Sequence, residues 1–522
     1  LIRGLLEPSA YPHPVDDVEL VQTHISYVFL AGDFVYKVKK PVNFGFLDFS
    51  TLEKRRYFSE REVMLNRRLC QGIYLGVVPI SLTRGRLAFG EGEEVVEYAV
   101  KMRKLPERYF LKQRLERGEV GSEDLDRIAL TLKAFYEGQE PTEEITKWGR
   151  IERLKISTDE NFHQTEGYID LTLSRPAFEA LRFYTESFYA QKAPLFESRI
   201  REGRIKDCHG DLHLEHIHLS PKTLCIYDCI EFNDRFRYID VANDIAFLAM
   251  DLDYNGYPDL ARFFVSRMAE VLEDPGMLQL MDFYKGYRAY VRGKVESLRS
   301  SGEAVPERER EMSLERARRY FRLALNYAVA GSEPIVLVVM GVVGSGKSRL
   351  AGRLAQELGW EVFSSDRVRK ELAGFPLYER GDEVVRSRLY AEAMTEKTYE
   401  ALFQHAEKRV KDGRSVILDA TFSRRLHRDL LRERLRPLGS PSRFIETQAS
   451  EEVLKARLKG REGKADEVSD ARLEDFAPLR QSYEPPHELS PQELLPIKTE
   501  GSKEETVIEA LKGLIRLHLM RS

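Results

Sequence analysis

Gly341-Val342-Val343-Gly344-Ser345-Gly346-Lys347-Ser348 lies between an apolar run, Ile335-Val336-Leu337-Val338-Val339-Met340, and a helical pattern from Arg349 to Leu358. Strand, Gly-rich turn and helix N-terminus in that order make a phosphate-binding loop. The glycines let backbone N–H groups close around an anion, and the helix dipole adds partial positive charge at the same point. Gly341, Gly344, Ser345 and Gly346 form the cradle. Lys347 reaches the β/γ-phosphates, and the Ser348 hydroxyl is placed to hold Mg²⁺. The nucleotide is ATP or GTP.

Downstream, short apolar runs alternate with helical patterns. Glu361-Val362-Phe363, Ser415 to Leu418 and Phe444 to Thr447 read as strands, separated by helices over Glu383–Lys411, Arg424–Arg436 and Glu451–Lys459. This alternation predicts an α/β P-loop domain with a parallel sheet covered by helices on both faces. Such sheets bind ligands at the carboxyl ends of their strands. Asp366 follows the second strand and suits a general base for an acceptor hydroxyl, or a helix N-cap. Asp419 ends the third and suits a carboxylate for Mg²⁺. It is followed by Ala420-Thr421 rather than a Walker-B Glu, which argues against a ring ATPase. Arg457 and Arg461, one helical turn apart, read as lid arginines over a transferring phosphoryl group, or as a solvated face. Arg425, Arg428, Arg432 and Arg436 share one helix face. That stripe would meet a polynucleotide or a phosphorylated metabolite, or simply face water.

The loop, Ser365-Asp366-Arg367-Val368-Arg369-Lys370, Leu418-Asp419-Ala420-Thr421 and Arg457-Leu458 with Arg461 together resemble the small P-loop kinases. That group includes zeta toxins, gluconate kinase, chloramphenicol phosphotransferase and 5′-hydroxyl polynucleotide kinases. The resemblance implies Asp366 as catalytic base and Arg457 and Arg461 as lid residues.

A second constellation lies upstream. His209-Gly210-Asp211 is followed by the short strand Leu224–Tyr227 and by Asp228. A catalytic-loop Asp accepts a hydroxyl proton, and a second carboxylate on the next strand holds a cation against the phosphates. Lys37 falls in a strand after the hairpin turn Ala31-Gly32-Asp33, and Glu62 in the helical stretch Ser50–Leu69. That order suits an ion pair that aims Lys37 at the α/β-phosphates. Tyr98 to Arg103 offers backbone for reading an adenine. Cys208, His209, His213, His216, His218, Cys225 and Cys229 also crowd together, which keeps a zinc site open. Their spacing does not match a closed tetrahedral knuckle.

Lys37, Glu62, His209-Gly210-Asp211-Leu212-His213, Asp228, and Asp240 with Asp244 resemble the aminoglycoside phosphotransferase and choline kinase branch of the protein-kinase-like fold. The likeness implies a bilobal α+β domain with Asp211 as base and Asp228 as metal ligand. The pattern's second metal ligand is an Asn five residues after the base. His216 stands there, and imidazole suits Mg²⁺ poorly. The whole chain is similar to bacterial proteins described as bifunctional aminoglycoside phosphotransferase/ATP-binding proteins. The name says nothing certain of the acceptor.

The totals agree with a multidomain globular protein. The 522 residues exceed one ordinary core, and 42% hydrophobic with 32% charged residues excludes a disordered chain. A net charge of −4 excludes a bulk basic field. Four cysteines do not make a disulfide scaffold, and no signal peptide or membrane span is legible, so a reducing cytoplasm is expected. Gly331-Ser332-Glu333-Pro334 marks the expected boundary between a kinase-like domain, 1–330, and a P-loop kinase domain, 331–522. The expected function is ATP-dependent phosphotransfer at two sites to small-molecule or nucleic-acid hydroxyls. The alternatives are one active P-loop kinase regulated by a nucleotide-binding pseudokinase, or a non-kinase ATPase.

Overall fold

The computed structural model describes residues 1–302, 305–379, 381–460, 468–469 and 472–520. The chain divides into two compact units, Leu1–Ser157 with Lys192–Lys285, and Thr158–Gln191 with Gly286–Ser522. The single boundary expected at residue 330 differs from this division. One break coincides with a kink in the helix Arg175–Arg201, where Lys192 leaves helical φ/ψ and Pro194 lacks an N–H. The charged helix Glu307–Val329, expected to close the first domain, belongs to the second unit. It buries Tyr320, Phe321, Ala324, Leu325 and Ala328.

The first unit is built on an antiparallel sheet. Its strands are β1 (Val18–Gln22), β2 (Ser26–Ala31), β3 (Phe34–Lys39), β4 (Tyr74–Thr83), β5 (Arg86–Phe89) and β6 (Glu94–Arg103), in the spatial order β1-β2-β3-β6-β4-β5. Ala31 pairs with Phe34, so Gly32-Asp33 is a two-residue turn, with Gly32 at φ +58°. Between β3 and β4 runs the helix Leu52–Asn66, whose N-terminal Lys54 N–H is capped by Thr51 Oγ1. Then come helices and two small antiparallel pairs, β7 (Ile205–Asp207) with β10 (Tyr238–Asp240), and β8 (Ile217–Leu219) with β9 (Leu224–Ile226). Cys70, just beyond the helix Leu52–Asn66, is disulfide-bonded to Cys225 in β9, where sparse cysteine usage suggested no cross-link.

The second unit holds a parallel sheet of β11 (Val336–Met340), β12 (Glu361–Ser364), β13 (Val416–Asp419), β14 (Ser442–Gln448) and β15 (Leu494–Lys498), in the order β12-β13-β11-β14-β15. Every residue of β11 is buried, as a central parallel strand requires. Val336, Val338 and Met340 pack with Leu402 and Phe403 of the helix Glu392–Lys411 and Leu431 of the helix Arg425–Leu435. Leu337 and Val339 alternate to the opposite face and are equally buried. The edge strand β15 was not legible in the sequence. Among the described residues, no helix is long and apolar enough to cross a membrane.

Candidate active sites

The loop after β11 has the backbone its glycines predict. Gly341, Gly344 and Gly346 take φ of +142°, +80° and +93°. At Gly341 the lack of a side chain is obligatory, since a Cβ would lie 2.6 Å from Thr447 Oγ1 and 2.7 Å from Thr447 O. The Ser345 and Thr447 hydroxyls meet at 2.6 Å, and Thr447 Oγ1 donates to the Met340 carbonyl at 3.0 Å. Ser345 is therefore a buried brace for the loop. Lys347 and Ser348 open the helix Lys347–Leu358, and the Ser348 side chain is exposed.

Register sets the carboxylates beside this loop. Asp419 ends β13 opposite Val339 of β11 and Ser364 of β12. Asp366 sits in the first turn of the helix Ser365–Ala373, which starts directly after β12. Asp419 is only 3% exposed, and its Oδ1 has no hydrogen-bond partner among the described residues. Burial pushes its carboxyl up; the Lys347 charge and a Ser348 hydrogen bond pull it down, and the net shift is upward, with Asp366 contributing. An orphaned, buried carboxylate oxygen beside an exposed Ser hydroxyl is an oxygen donor pair that fits Mg²⁺. The structure thus brings Lys347, Ser348, Asp366 and Asp419 to the carboxyl ends of three adjacent strands.

Two expectations for this unit read differently in the structure. Arg457, expected as a lid arginine, is bonded to the back of the loop. Its Nη1 donates to Thr499 Oγ1 at 2.9 Å and to the Gly344 and Ser345 carbonyls at 3.4 and 3.3 Å, and its Nη2 donates to Thr499 O. These bonds hold it on the carbonyl side of the loop. Arg461 lies outside the described residues. The arginine stripe is also not a free basic face. Arg428 is fully buried, bound to Glu488 and donating to the Phe422 carbonyl at 2.6 Å. Arg432 pairs with Glu493 at 2.9 Å and Arg425 with Asp429 at 3.0 Å. Carboxylates thus pair with Arg425, Arg428 and Arg432 on the face expected to meet a polynucleotide or a phosphorylated metabolite.

In the first unit, Lys37 Nζ lies 2.9 Å from Glu62 Oε1 and 2.6 Å from Asp228 Oδ1. Lys39, on the same face of β3, holds the other Glu62 oxygen at 2.7 Å and also binds Glu231. Burial works against the Lys37 ammonium, but Asp228, Glu62 and Glu231 outweigh it and hold the ammonium well above its usual range. Burial likewise raises the Asp228 carboxyl, and Lys37 and then His216 reverse that to a net lowering. Asp228 adopts φ +62°, a left-handed conformation that costs a non-glycine residue on the order of 1 kcal/mol or more. Its N–H donates to Tyr74 Oη at 3.3 Å.

The segment bearing Asp211 is pinned from below. Asp244 accepts the His209 and Gly210 N–H groups, each at 2.9 Å, and the Tyr136 hydroxyl at 2.9 Å. Gly210, at φ +86°, lies so close to Phe236 O that a Cβ would stand 2.7 Å from it. Asp240 is bidentate with Arg199, which also binds Asp274. His216 bridges the two carboxylates, with Nδ1 3.4 Å from Asp211 Oδ2 and Nε2 3.5 Å from Asp228 Oδ2. Burial, then His213, push its pKa down to about 4.

So Lys37, Glu62, Asp211, His216 and Asp228 converge. Tyr98–Arg103 does not offer free backbone, because β6 is paired on one side with β3 and on the other with β4. The cysteine part of the zinc reading also goes. Cys225 is bonded to Cys70, and the donor group that forms among the described residues, Asp211 with His213 and His216, includes no cysteine. Lys39 and Glu231 were missed. Lys39 carried a signal in its strand alternation with Lys37, whereas Glu231 carried none.

The glycine loop, the parallel sheet and the carboxylates define a P-loop domain, and residues 336–486 match the family model described as AAA domain. The chain is 34% identical over 413 residues, 78% of its length, to the uncharacterized protein Rv2004c of Mycobacterium tuberculosis (strain ATCC 25618 / H37Rv), covering 80% of that protein. The chain belongs to the family of that mycobacterial protein. It is also 29% identical over 146 residues, 25% of its length, to a probable gluconokinase of Xenopus tropicalis, covering 70% of that protein. A gluconokinase structure from Sinorhizobium meliloti 1021 aligns with 36% of this chain and 98% of its own, at 24% identity and a TM-score of 0.27.

Proposed function

We propose that this protein is an ATP-dependent phosphotransferase with two nucleotide sites, each serving transfer of the γ-phosphoryl group to a hydroxyl. The observation that carries the reading is the convergence of Lys347, Ser348, Asp419 and Asp366 around one loop. Loop N–H groups and Lys347 bind the β- and γ-phosphates. Asp366 accepts the acceptor's hydroxyl proton as its oxygen bonds to phosphorus, and the bond from the γ-phosphorus to the bridging oxygen breaks to release ADP. Ser348 and Asp419 would hold Mg²⁺, which when bound offsets charge on the phosphates. Arg457 fixes the loop's carbonyl side and so acts as a positioning residue.

The second site is a protein-kinase-like cleft of the first unit. Lys37, steadied by Glu62, would bind α/β-phosphates, and Asp211 would take the acceptor proton. Mg²⁺ does not fit here, because His216 occupies the ligand position, so no step is routed through it. That same residue favours one second reading, in which the first unit binds nucleotide as a regulatory pseudokinase. Acceptors of either site are hydroxyl compounds of a class to be found by screening.

Asp366→Asn and Asp211→Asn variants of the full chain test this against a panel of sugars, amino-alcohols and nucleic-acid 5′ ends with labelled ATP. Two active sites require each variant to abolish labelling of a different acceptor. If only Asp366→Asn matters, the first unit is regulatory. If ATP is consumed and no acceptor is ever labelled, the protein is an ATPase of another kind.

A further inference from the structure

The helix Ser365–Ala373, which carries Asp366, follows β12, and the helix Glu451–Lys459 follows β14. Between those two strands stand β13 and β11, whose carboxyl ends bear Asp419 and the phosphate loop. A contact made beyond the strand ends, from the chain after β12 to the chain after β14, therefore spans the mouth of the P-loop site.

Two helices reach toward each other there. The helix Glu383–Leu389 is moored to the one bearing Asp366. Its closing residue, Tyr390, lies under the Arg369 guanidinium, 4.6 Å from the ring centroid, and Arg369 is one turn beyond Asp366. The helix Phe476–Gln481 is moored to the phosphate loop, since Phe476 packs in one apolar cluster with Val343, Leu454 and Leu458. The chain then runs on to Glu484, whose N–H donates to the Ser423 carbonyl at 2.8 Å, just past Asp419 and Thr421. Arg386 joins the two sides. Its Nη1 donates to Glu474 Oε1 at 2.9 Å and its Nη2 to Asp475 Oδ2 at 2.5 Å. Asp475 is itself held in place, because Oδ2 also accepts the Arg472 N–H at 2.8 Å. Arg472 Nη2 adds a second crossing bond, to the Gly381 carbonyl at 3.3 Å. The Arg386 side chain is 15% exposed and that of Glu474 66%, so the contact is sheltered at its centre and open to ions at its rim.

We propose that Arg386, Glu474 and Asp475 form an ionic clasp across this mouth, which must part before an acceptor reaches Asp366. A polar clasp suits that task, because water replaces its bonds at small net cost, whereas an apolar seam would have to expose its surface to open. The inference rests on the P-loop reading above for what passes through the mouth, but its test needs no nucleotide. In the full chain, Val384→Cys and Leu479→Cys place spin labels on the two helices at exposed positions, while the free thiols of Cys208 and Cys229 stay buried. Double electron–electron resonance then reads the distance across the mouth. Salt is raised from about 0.1 M to about 1 M, which shortens the screening length from about 10 Å to about 3 Å. The expected result is a dominant short distance in the labelled parent at low salt. Arg386→Gln should lower the ratio of short to long distances by roughly three- to tenfold, and high salt should move the parent toward that variant. Arg386→Lys, which keeps the charge without the two-pronged donor, should fall between them. Identical distance distributions in the parent and Arg386→Gln overturn the proposal, as does a parent distribution that salt leaves unmoved. Should Arg386→Gln misfold by circular dichroism, the salt titration of the labelled parent decides. A clasp that behaves as expected in a protein that binds no ATP at Lys347 would sink the phosphotransfer reading instead, so the two failures are distinguishable.

Discussion

In the second unit, phosphate is to be met by eight consecutive residues from Gly341 to Ser348, whose backbone is shaped by glycines. In the first, the proposed nucleotide site rests on one ammonium, Lys37, clamped by a helix carboxylate and a loop carboxylate distant in sequence. The difference is between a cradle of neutral dipoles and a buried cluster of full charges. A dipole cradle stands without its ligand at little cost. A charge cluster stands only while its partners neutralise one another, because an uncompensated buried charge is expensive. The charge cluster of the first unit should therefore contribute to stability whatever it binds, and the second unit should lose its lysine and remain folded.

The largest effect expected on this contrast is on chemistry. Asp366→Asn should lower P-loop turnover by about 10²- to 10⁴-fold, with nucleotide affinity intact, in single-turnover assays with labelled ATP. Equal loss of affinity and turnover would make Asp366 a binding residue. Next, Lys347→Ala should weaken nucleotide binding at the loop by about 100-fold while lowering the melting temperature less than Lys37→Ala does, since Asp419 loses one nearby positive charge. Calorimetric titration of the full chain would then show one site instead of two. Lys37→Ala should weaken the other site by about tenfold and also lower the melting temperature, since Glu62 and Asp228 lose a shared cation. If Lys37→Ala and Lys347→Ala left the melting temperature equally unmoved, the contrast between the two designs would fail. The smallest effect is opposite in sign. Asp419→Asn removes a buried charge whose Oδ1 has no partner among the described residues, so the metal-free protein should melt a few degrees higher. A lower melting temperature would show that Asp419 is compensated by its surroundings.

Legibility in the sequence followed the same divide. The P-loop strand, its glycines and Asp366 with Asp419 could be read because a contiguous motif and strand ends fix them locally. Lys37 and Glu62 were legible through their order on a strand and the helix after it. What escaped depended on pairing across the fold. Arg428 reads as one of a surface stripe until Glu488 arrives from a distant loop and buries it. Arg457 reads as a lid arginine until Thr499 claims it. Strand β15 contains Pro496 and sits at an edge, where strand patterning is weakest. The division into units escaped for a related reason. The amphipathic faces of Thr158–Gln191 and 286–329 are plain in sequence, but nothing local says which core they join.

The tie from Arg457 to both the Gly344 and Ser345 carbonyls and Thr499 has a consequence for biosynthesis. Thr499 Oγ1 also donates to the Ser345 carbonyl at 2.6 Å, so the back of the loop is fastened by a residue made more than a hundred positions later. A nascent chain that has just emerged through the helix Lys347–Leu358 carries every phosphate-facing group but not this fastening. Grip on nucleotide should thus arrive late in translation, after the edge strand has joined the sheet.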